Sequence, residues 1–267
     1  MSHQLTIEWT EPQIAVLGFA DAERQNQLCW AAIAEIAEAL KACREQGARV
    51  IILASSLEGH WLEHAWLRDL DNTVAGKDTT AVAGGWFPAL DELARPEVIT
   101  IAAISGDCSG GGAELGWACD FRIAEQQARF AQPEINIHLT TGIGGCSRLS
   151  RLAGRTLTNE MVLLGKAASA QRLFDLGAIN RVVPKGAALA TALDWARQIT
   201  SKSNAATTGL KTILNASEVL PLDKAMAFEQ ETFVSLVVSD EARQGMQEAQ
   251  SNYDQGVSIA ELNQYDQ

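Results

Sequence analysis

The stretch Ile104-Ser-Gly-Asp-Cys-Ser-Gly-Gly-Gly-Ala-Glu-Leu-Gly-Trp-Ala-Cys-Asp120 decides the fold. It emerges from an apolar run, Val98–Ser105, that reads as a strand buried on both faces. Gly106–Gly112 is rich in glycine, and Ala113–Cys119 continues in a helical pattern. A strand passing through glycines into a helix leaves free backbone N–H groups at the helix start, where the dipole favours negative charge. Glycine also lets a ligand come close to the backbone. Taken alone, the segment fits a phosphate cradle, an oxyanion hole, or a tight packing turn between strand and helix. No Lys-Ser/Thr pair follows the glycines and their spacing is not G-x-G-x-x-G, which argues against the nucleotide-binding loops. Glu114, by itself, is a carboxylate in a first helical turn, a placement that is favourable with or without chemistry.

Upstream, Leu5–Trp9 and Gln13–Phe19 alternate in polarity around Thr10-Glu11-Pro12, as in an antiparallel hairpin. Apolar residues at Leu28, Ala32, Ile33, Ile36, Ala39, Leu40 and Cys43 predict a helix within Asn26–Ala48, ended by Gly47. Val50–Ala54 reads as a second strand buried on both faces, Trp86–Leu93 as a helix stopping before Pro96, and Phe121–Ala124 as a further strand. Gly59–Gly85 shows no regular period. Strand and helix alternate, which points to a mostly parallel sheet. After Gly142, helices are expected at Cys146–Leu152, Thr156–Leu164, Ala170–Leu176, Ala187–Ser201, Ala205–Glu218 and Pro221–Val238, with a single strand at Ile179–Val183. Residues 1–195 are read as the core and residues 196–267 as a helical region that packs on the core or on a neighbouring subunit.

A chain of 267 residues is long enough for one large core, or for a core with a smaller appendage. Hydrophobic residues at 47% and charged residues at 20% exclude a disordered chain. A net charge of −12 argues against nucleic-acid and anionic-membrane binding, which need a basic patch. It leaves room for an anionic small ligand held by a few local cations. The five cysteines are odd in number and lack C-x-x-C spacing, so buried free thiols in a reducing compartment are expected. No stretch approaches the ~18 apolar residues of a membrane helix. Met1–Glu11 has no basic segment leading into an apolar run, so it does not read as a signal peptide, and a cytoplasmic location is expected.

Several segments together resemble a known family. Ala102–Leu115, then Ala128-Arg-Phe-Ala-Gln-Pro-Glu-Ile135 and Gly142-Ile-Gly-Gly145, are similar to the enoyl-CoA hydratase/isomerase (crotonase) superfamily. So are Gly154-Arg155, Leu163–Ala170 and Leu176–Pro184. Arg24-Gln-Asn26 resembles the family's Arg-Asn-Ala-Leu element, and Glu241–Met246 its C-terminal element. The resemblance spans about residues 5–250 and implies an α/β crotonase (ClpP/crotonase-like) fold of stacked ββα turns with a helical C-terminal region.

The resemblance also implies a chemistry. Two backbone N–H groups hold a thioester oxygen as it gains negative charge, one from Gly111 and the other from Ala65, which falls on the family's Phe-x-Ala-Gly-Ala-Asp-Leu segment through Trp61-Leu-Glu-His-Ala-Trp-Leu67. One such donor is worth about 3–4 kcal/mol of barrier. Glu114 and Glu134 match the two glutamates of family hydratases: the first orients and deprotonates a water, the second passes a proton to the α-carbon. A carboxylate pair suits this because one member is basic while the other is protonated. The Gly142 amide matches a position that fixes the water or the acyl chain.

Departures from the family pattern mark further candidates. His64 stands where the family has glycine and Trp66 where it has aspartate; glycine eases the turn that aims the Ala65 N–H inward, and histidine accepts strained dihedrals less readily. His138 replaces a small residue. His64, Trp66 and His138 are therefore candidate substrate contacts, with packing or surface roles as the alternative for the histidines. His60 and His64 have i, i+4 spacing without a motif that completes a metal site, so no metal is expected. Trp61, Trp66, Trp86 and Phe87 are candidates for an aromatic acyl pocket or for packing. Arg24 is a candidate contact for coenzyme A phosphates, yet beyond Arg243 no Lys or Arg remains and Glu248–Gln267 is acidic. The carrier is then held elsewhere, or the substrate is a different thioester or a free ketone.

The reading is an enzyme of fatty acid or aromatic acid metabolism that hydrates an α,β-unsaturated acyl thioester, or dehydrates its product, with coenzyme A part of the substrate and no cofactor of its own. Alternatives are double-bond isomerisation, retro-aldol cleavage, C–C hydrolysis of a β-diketone, and an inactive binding homologue. The family implies a homotrimer, or a hexamer of two trimers, with residues 196–267 as the trimerisation region.

Overall fold

The structure, a computed structural model, describes residues 3–258; Met1, Ser2 and the end of the acidic tail, residues 259–267, lie outside the described residues. The chain divides into two compact units, Met1–Ser201 and Lys202–Gln267.

The first unit opens with the expected hairpin, β1 (Gln4–Glu11) and β2 (Ile14–Ala20). Then come α1 (Trp30–Glu45), β3 (Val50–Ser55), α2 (Leu67–Val74), α3 (Trp86–Leu93), β4 (Ile99–Ile104), β5 (Cys108–Ser109) and α4 (Gly110–Ala118). β6 (Phe121–Glu125), β7 (Arg129–Ala131), a 3-10 turn (Glu134–Ile137), α5 (Ser147–Leu163), β8 (Ala168–Ser169), α6 (Ala170–Asp175), β9 (Arg181–Val183) and α7 (Ala188–Thr200) complete it. The main sheet has the order β1-β2-β3-β4-β6-β9, antiparallel only in the opening hairpin. A small second sheet, β5-β7-β8, stands beside it.

The apolar runs are continuous because the central strands are covered twice. Ile51, Leu53, Ala102 and Ile104 join a core with α1, α3 and α4 on one face. Their neighbours Val50, Ile52, Ile101 and Ala103 join a second core under α7, which offers Ala188, Ala192 and Ala196 at a four-residue spacing. Alternation in a strand sends successive side chains to opposite faces, and here both faces are dry.

Several boundaries differ from the sequence reading. α1 starts only at Trp30: Gln25 and Asn26 hold positive φ (52° and 59°), which a helix does not accept, and Leu28 pairs as a β-bridge with Ala65. α4 begins at the glycines themselves rather than at Ala113. The region from Gly59 to Gly85, with no legible period, contains α2, whose two turns carry few apolar residues. Residues 147–163 are two helical segments meeting at Gly154, with φ 76° and ψ 161°. Of the five free cysteines four are buried, whereas Cys146 is exposed.

The second unit consists of α8 (Asn204–Ser217), α9 (Leu222–Val237) and α10 (Asp240–Asp254). α8 and α9 pack closely at Gly209, where a Cβ would lie 2.9 Å from Leu236 Cδ1. No helix among the described residues is long and apolar enough to cross a membrane.

Candidate active site

The site grows from the start of α4. Gly110 has φ +46°, and a Cβ there would meet His64 Cβ at 2.7 Å. At Gly112 a Cβ would fall 2.2 Å from the Leu62 carbonyl oxygen, and at Gly111 it would strike the Trp86 indole at 2.5 Å. The glycine run is therefore a close-approach surface: residues 62–64 lie on it from one side and Trp86 from another. Gly111 is the second residue of α4, so its N–H has no partner within the helix.

The segment lying on the glycines is stitched on both edges. Trp61 N–H donates to Asp107 O (2.8 Å), Ser109 N–H to Leu62 O (3.3 Å) and Gly112 N–H to Glu63 O (3.1 Å). On the far edge Glu63 N–H donates to Asn26 O (3.0 Å), and Leu28 N–H to His64 O (3.0 Å). The last bond fixes the Ala65 donor. In a trans peptide C=O and N–H point in opposite directions, so a His64 carbonyl held toward Leu28 turns the Ala65 N–H away from it. The buried Asn26 secures this edge, donating to Trp61 O (2.6 Å) and Ser55 Oγ (2.9 Å). His64 is not among the non-glycine residues with positive φ, which are Gln25, Asn26 and His138. Histidine in place of glycine thus sits in ordinary backbone, and its Nδ1 lies 2.9 Å from Ala65 O.

Ala65 and Gly111 line one cavity of about 390 Å³ with Glu114 and Glu134. Glu114 projects from α4 and is 3% exposed. Its Oε1 accepts N–H bonds from Gly145 (2.6 Å) and Ile143 (3.1 Å). Burial raises its pKa, opposed by the amides of residues 143–145 and by the Arg148 charge. Glu134 opens the 3-10 turn; its Oε2 is buried without a hydrogen-bond partner among the described residues. Burial pushes its pKa up to about 6; its own backbone N–H pulls downward, and the Glu114 charge adds to the rise. Glu134 senses the Glu114 charge, and both acids have proton affinities above those of free carboxylates. Trp30, Leu67, Leu70, Trp86, Leu139 and Ile143 make the rest of the cavity mostly apolar.

The cavity thus gathers Ala65, Gly111, Glu114, Glu134, His64 and Gly142. It does not gather His138, which is exposed and holds the left-handed conformation (φ 62°) that ends the 3-10 turn. Arg24 and Trp66 also lie outside the lining: Arg24 pairs with Asp21 (3.0 Å) and its guanidinium stacks 4.6 Å over the Trp66 ring. The amides that reach Glu114 belong to Ile143 and Gly145, and Gly142 lines the cavity beside them. Of the other aromatic candidates, Trp86 lines the cavity, Trp61 is fully buried against Gly116, and Phe87 is 64% exposed.

Sequence reasoning missed Trp30, which starts α1 with its N–H donating to the buried Asp69 (2.8 Å) and its indole to Thr73 (2.9 Å). It also missed Arg68, whose guanidinium lies 5.2 Å from the centroid of the Trp66 ring that Arg24 also approaches. Both belong with α2, the helix that had no legible period. No group of three or more His, Cys, Asp or Glu side chains among the described residues is placed to hold a metal ion.

This is the layout of a crotonase-fold enzyme. The enoyl-CoA hydratase/isomerase family matches residues 10–255, and the chain belongs to it. Crotonyl-CoA hydratase of Syntrophomonas wolfei is 28% identical over 92% of this chain and 95% of its own. The mitochondrial enoyl-CoA hydratase of Pongo abelii is 31% identical over 83% of this chain and 75% of its own. The crystal structure of an enoyl-CoA hydratase from Polaromonas sp. JS666 has a TM-score of 0.83, with 26% identity, over 93% of this chain and 97% of that one.

Proposed function

We propose that the protein adds water across the α,β double bond of an acyl-CoA thioester, and removes it in the reverse reaction. The thioester oxygen sits between the Ala65 and Gly111 N–H groups. Water held on Glu114 gives its proton to that carboxylate and its oxygen to the β-carbon. Electrons move into the thioester, where the two donors stabilise the enolate oxygen. Glu134 then delivers a proton to the α-carbon, and the bond order of the carbonyl is restored. The observation that carries this reading is one mostly apolar cavity that brings two carboxylates of raised pKa together with Ala65 and Gly111.

The lining carries no Lys or Arg, so an uncharged acyl group fits it best. Arg24 and Arg68, both stacked on Trp66, are the cations we assign to the coenzyme A phosphates. The scheme draws on no metal and no redox cofactor, and the reading takes the enzyme as cytoplasmic and as a homotrimer or a hexamer of two trimers. Loss of conjugated-thioester absorbance on incubation with crotonyl-CoA or an aromatic enoyl-CoA is the expected result. Turnover of a free β-diketone with none of any thioester overturns the reading in favour of C–C hydrolysis.

A further inference from the structure

Ser109 is the residue before the first turn of α4, where serine ordinarily turns its hydroxyl onto its own helix. Ser169, Ser203 and Ser239 do so, each accepting the N–H of the residue three further on. Ser109 does not cap α4. Its hydroxyl accepts the His64 N–H (3.2 Å) and donates to Glu63 Oε2. Glu63 Oε1 meets His60 Nδ1 at 3.0 Å, and its side chain is 13% exposed. A carboxylate that accepts a hydrogen bond from the serine hydroxyl polarises it and makes its oxygen a better acceptor for the amide.

The position of this pair gives it a consequence for the site. Ser109 stands two residues before Gly111, and the His64 N–H stands one residue before the Ala65 N–H. The bond from His64 to Ser109 therefore joins the two strands of chain that carry the candidate oxyanion donors. Leu28 already orients the 64–65 peptide from the far edge. Glu63 and Ser109 hold the same segment from the near edge, where the distance between the donors is decided.

We propose that Glu63 and Ser109 are positioning residues that set the spacing of the Ala65 and Gly111 amides, acting as one hydrogen-bonded unit. The proposal rests on the assignment of those amides to a thioester oxygen. A loosened donor weakens charge stabilisation in the transition state more than it weakens ground-state binding, so the loss falls on kcat.

The experiment compares Ser109→Ala, Glu63→Ala and the double variant on crotonyl-CoA. Each single variant is expected to lose about 10-fold or more in kcat with KM within about threefold of the parent. The double variant loses no more than the worse single, because partners in one unit are not additive. Ser109→Thr, which keeps the hydroxyl, restores most of the rate. A second readout uses cinnamoyl-CoA bound to a Glu114→Gln enzyme. Donors that polarise its carbonyl move its absorbance to longer wavelength, and adding Ser109→Ala shrinks that displacement. An unchanged kcat in the single variants, fully additive losses, or an undiminished displacement each overturn the proposal. If Ser109→Ala does not fold, Glu63→Ala decides on the same criteria. A parent enzyme inactive on every enoyl thioester instead sinks the functional reading beneath it.

Discussion

Burial and the Glu114 charge lift Glu134 from 4.5 to about 6, so its ionisation opposes folding. The group's pKa is higher folded than unfolded; its stabilising contribution is complete below about 4.5 and is lost as pH rises through about 6. At pH 7 an uncharged replacement escapes that loss. Glu134→Gln is expected to raise stability at pH 7 by about 1 kcal/mol once partial exposure to solvent is allowed for, or about 2–4 °C in melting midpoint. Thermal melts at pH 7 and pH 4 check this: the gain shrinks at the lower pH, and an equal gain at both sinks the account. The same substitution, and Glu114→Gln, each lower turnover by about 10²-fold or more. A rate within tenfold of the parent in either variant removes that residue from the acid–base scheme.

The two acids also share a proton count. Hydration starts with Glu114 ionised and Glu134 protonated; dehydration starts with the reverse arrangement, which has the same total charge. Both directions therefore draw on the singly protonated pair, and kcat/KM has the same bell-shaped pH dependence in each. The alkaline limb in the free enzyme is expected at about 6, where Glu134 titrates. Rate profiles measured from enoyl-CoA and from hydroxyacyl-CoA test the claim; limbs that differ between directions contradict it.

Among the elements, α4 and the chain that lies on its glycines decide the geometry. A Cβ at position 112 meets the Leu62 carbonyl oxygen at 2.2 Å and its carbon at 2.3 Å, and no side-chain rotation relieves a clash with backbone. Gly112→Ala is expected to destabilise the fold by about 1–3 kcal/mol and to lower kcat, since relief requires residues 61–65 to lift off α4. Urea unfolding and steady-state rates measure both; a fully stable variant with the parent's kcat contradicts this packing. The glycine triplet and both glutamates were legible in the sequence because each lies in a local motif. The helices with a clear apolar period, such as α1 and α3, were legible for the same reason. α2 was not: Leu67–Val74 is short and polar, and the burial of Asp69 depends on the Trp30 and Thr80 N–H groups far along the chain. Strands of two or three residues, β5, β7 and β8, give no period at all. His138 lies between Ile137 and Leu139 of the cavity lining but outside that lining itself, and the left-handed conformation that places it there has no sequence period.

At the scale of the whole molecule, net charge and exposed apolar surface pull in opposite directions. Each chain carries −12, so copies repel one another. Yet α9 presents Leu222, Met226 and Phe233, 76%, 60% and 57% exposed, along one face interrupted by Glu229. Covering such a stripe is favourable at roughly 25 cal/mol per Å² of apolar surface, and this contribution is insensitive to screening. Repulsion between like-charged chains is screened by salt, over about 10 Å at 0.1 M. Assembly through α9 is therefore expected to tighten, not loosen, as salt is raised. Sedimentation at 20 and 300 mM NaCl measures this, with Phe233→Asp as the variant that places a further negative charge on the stripe and shifts the protein toward single chains at both. A parent protein that sediments as a single chain throughout, or that dissociates as salt is added, contradicts an apolar interface on this face.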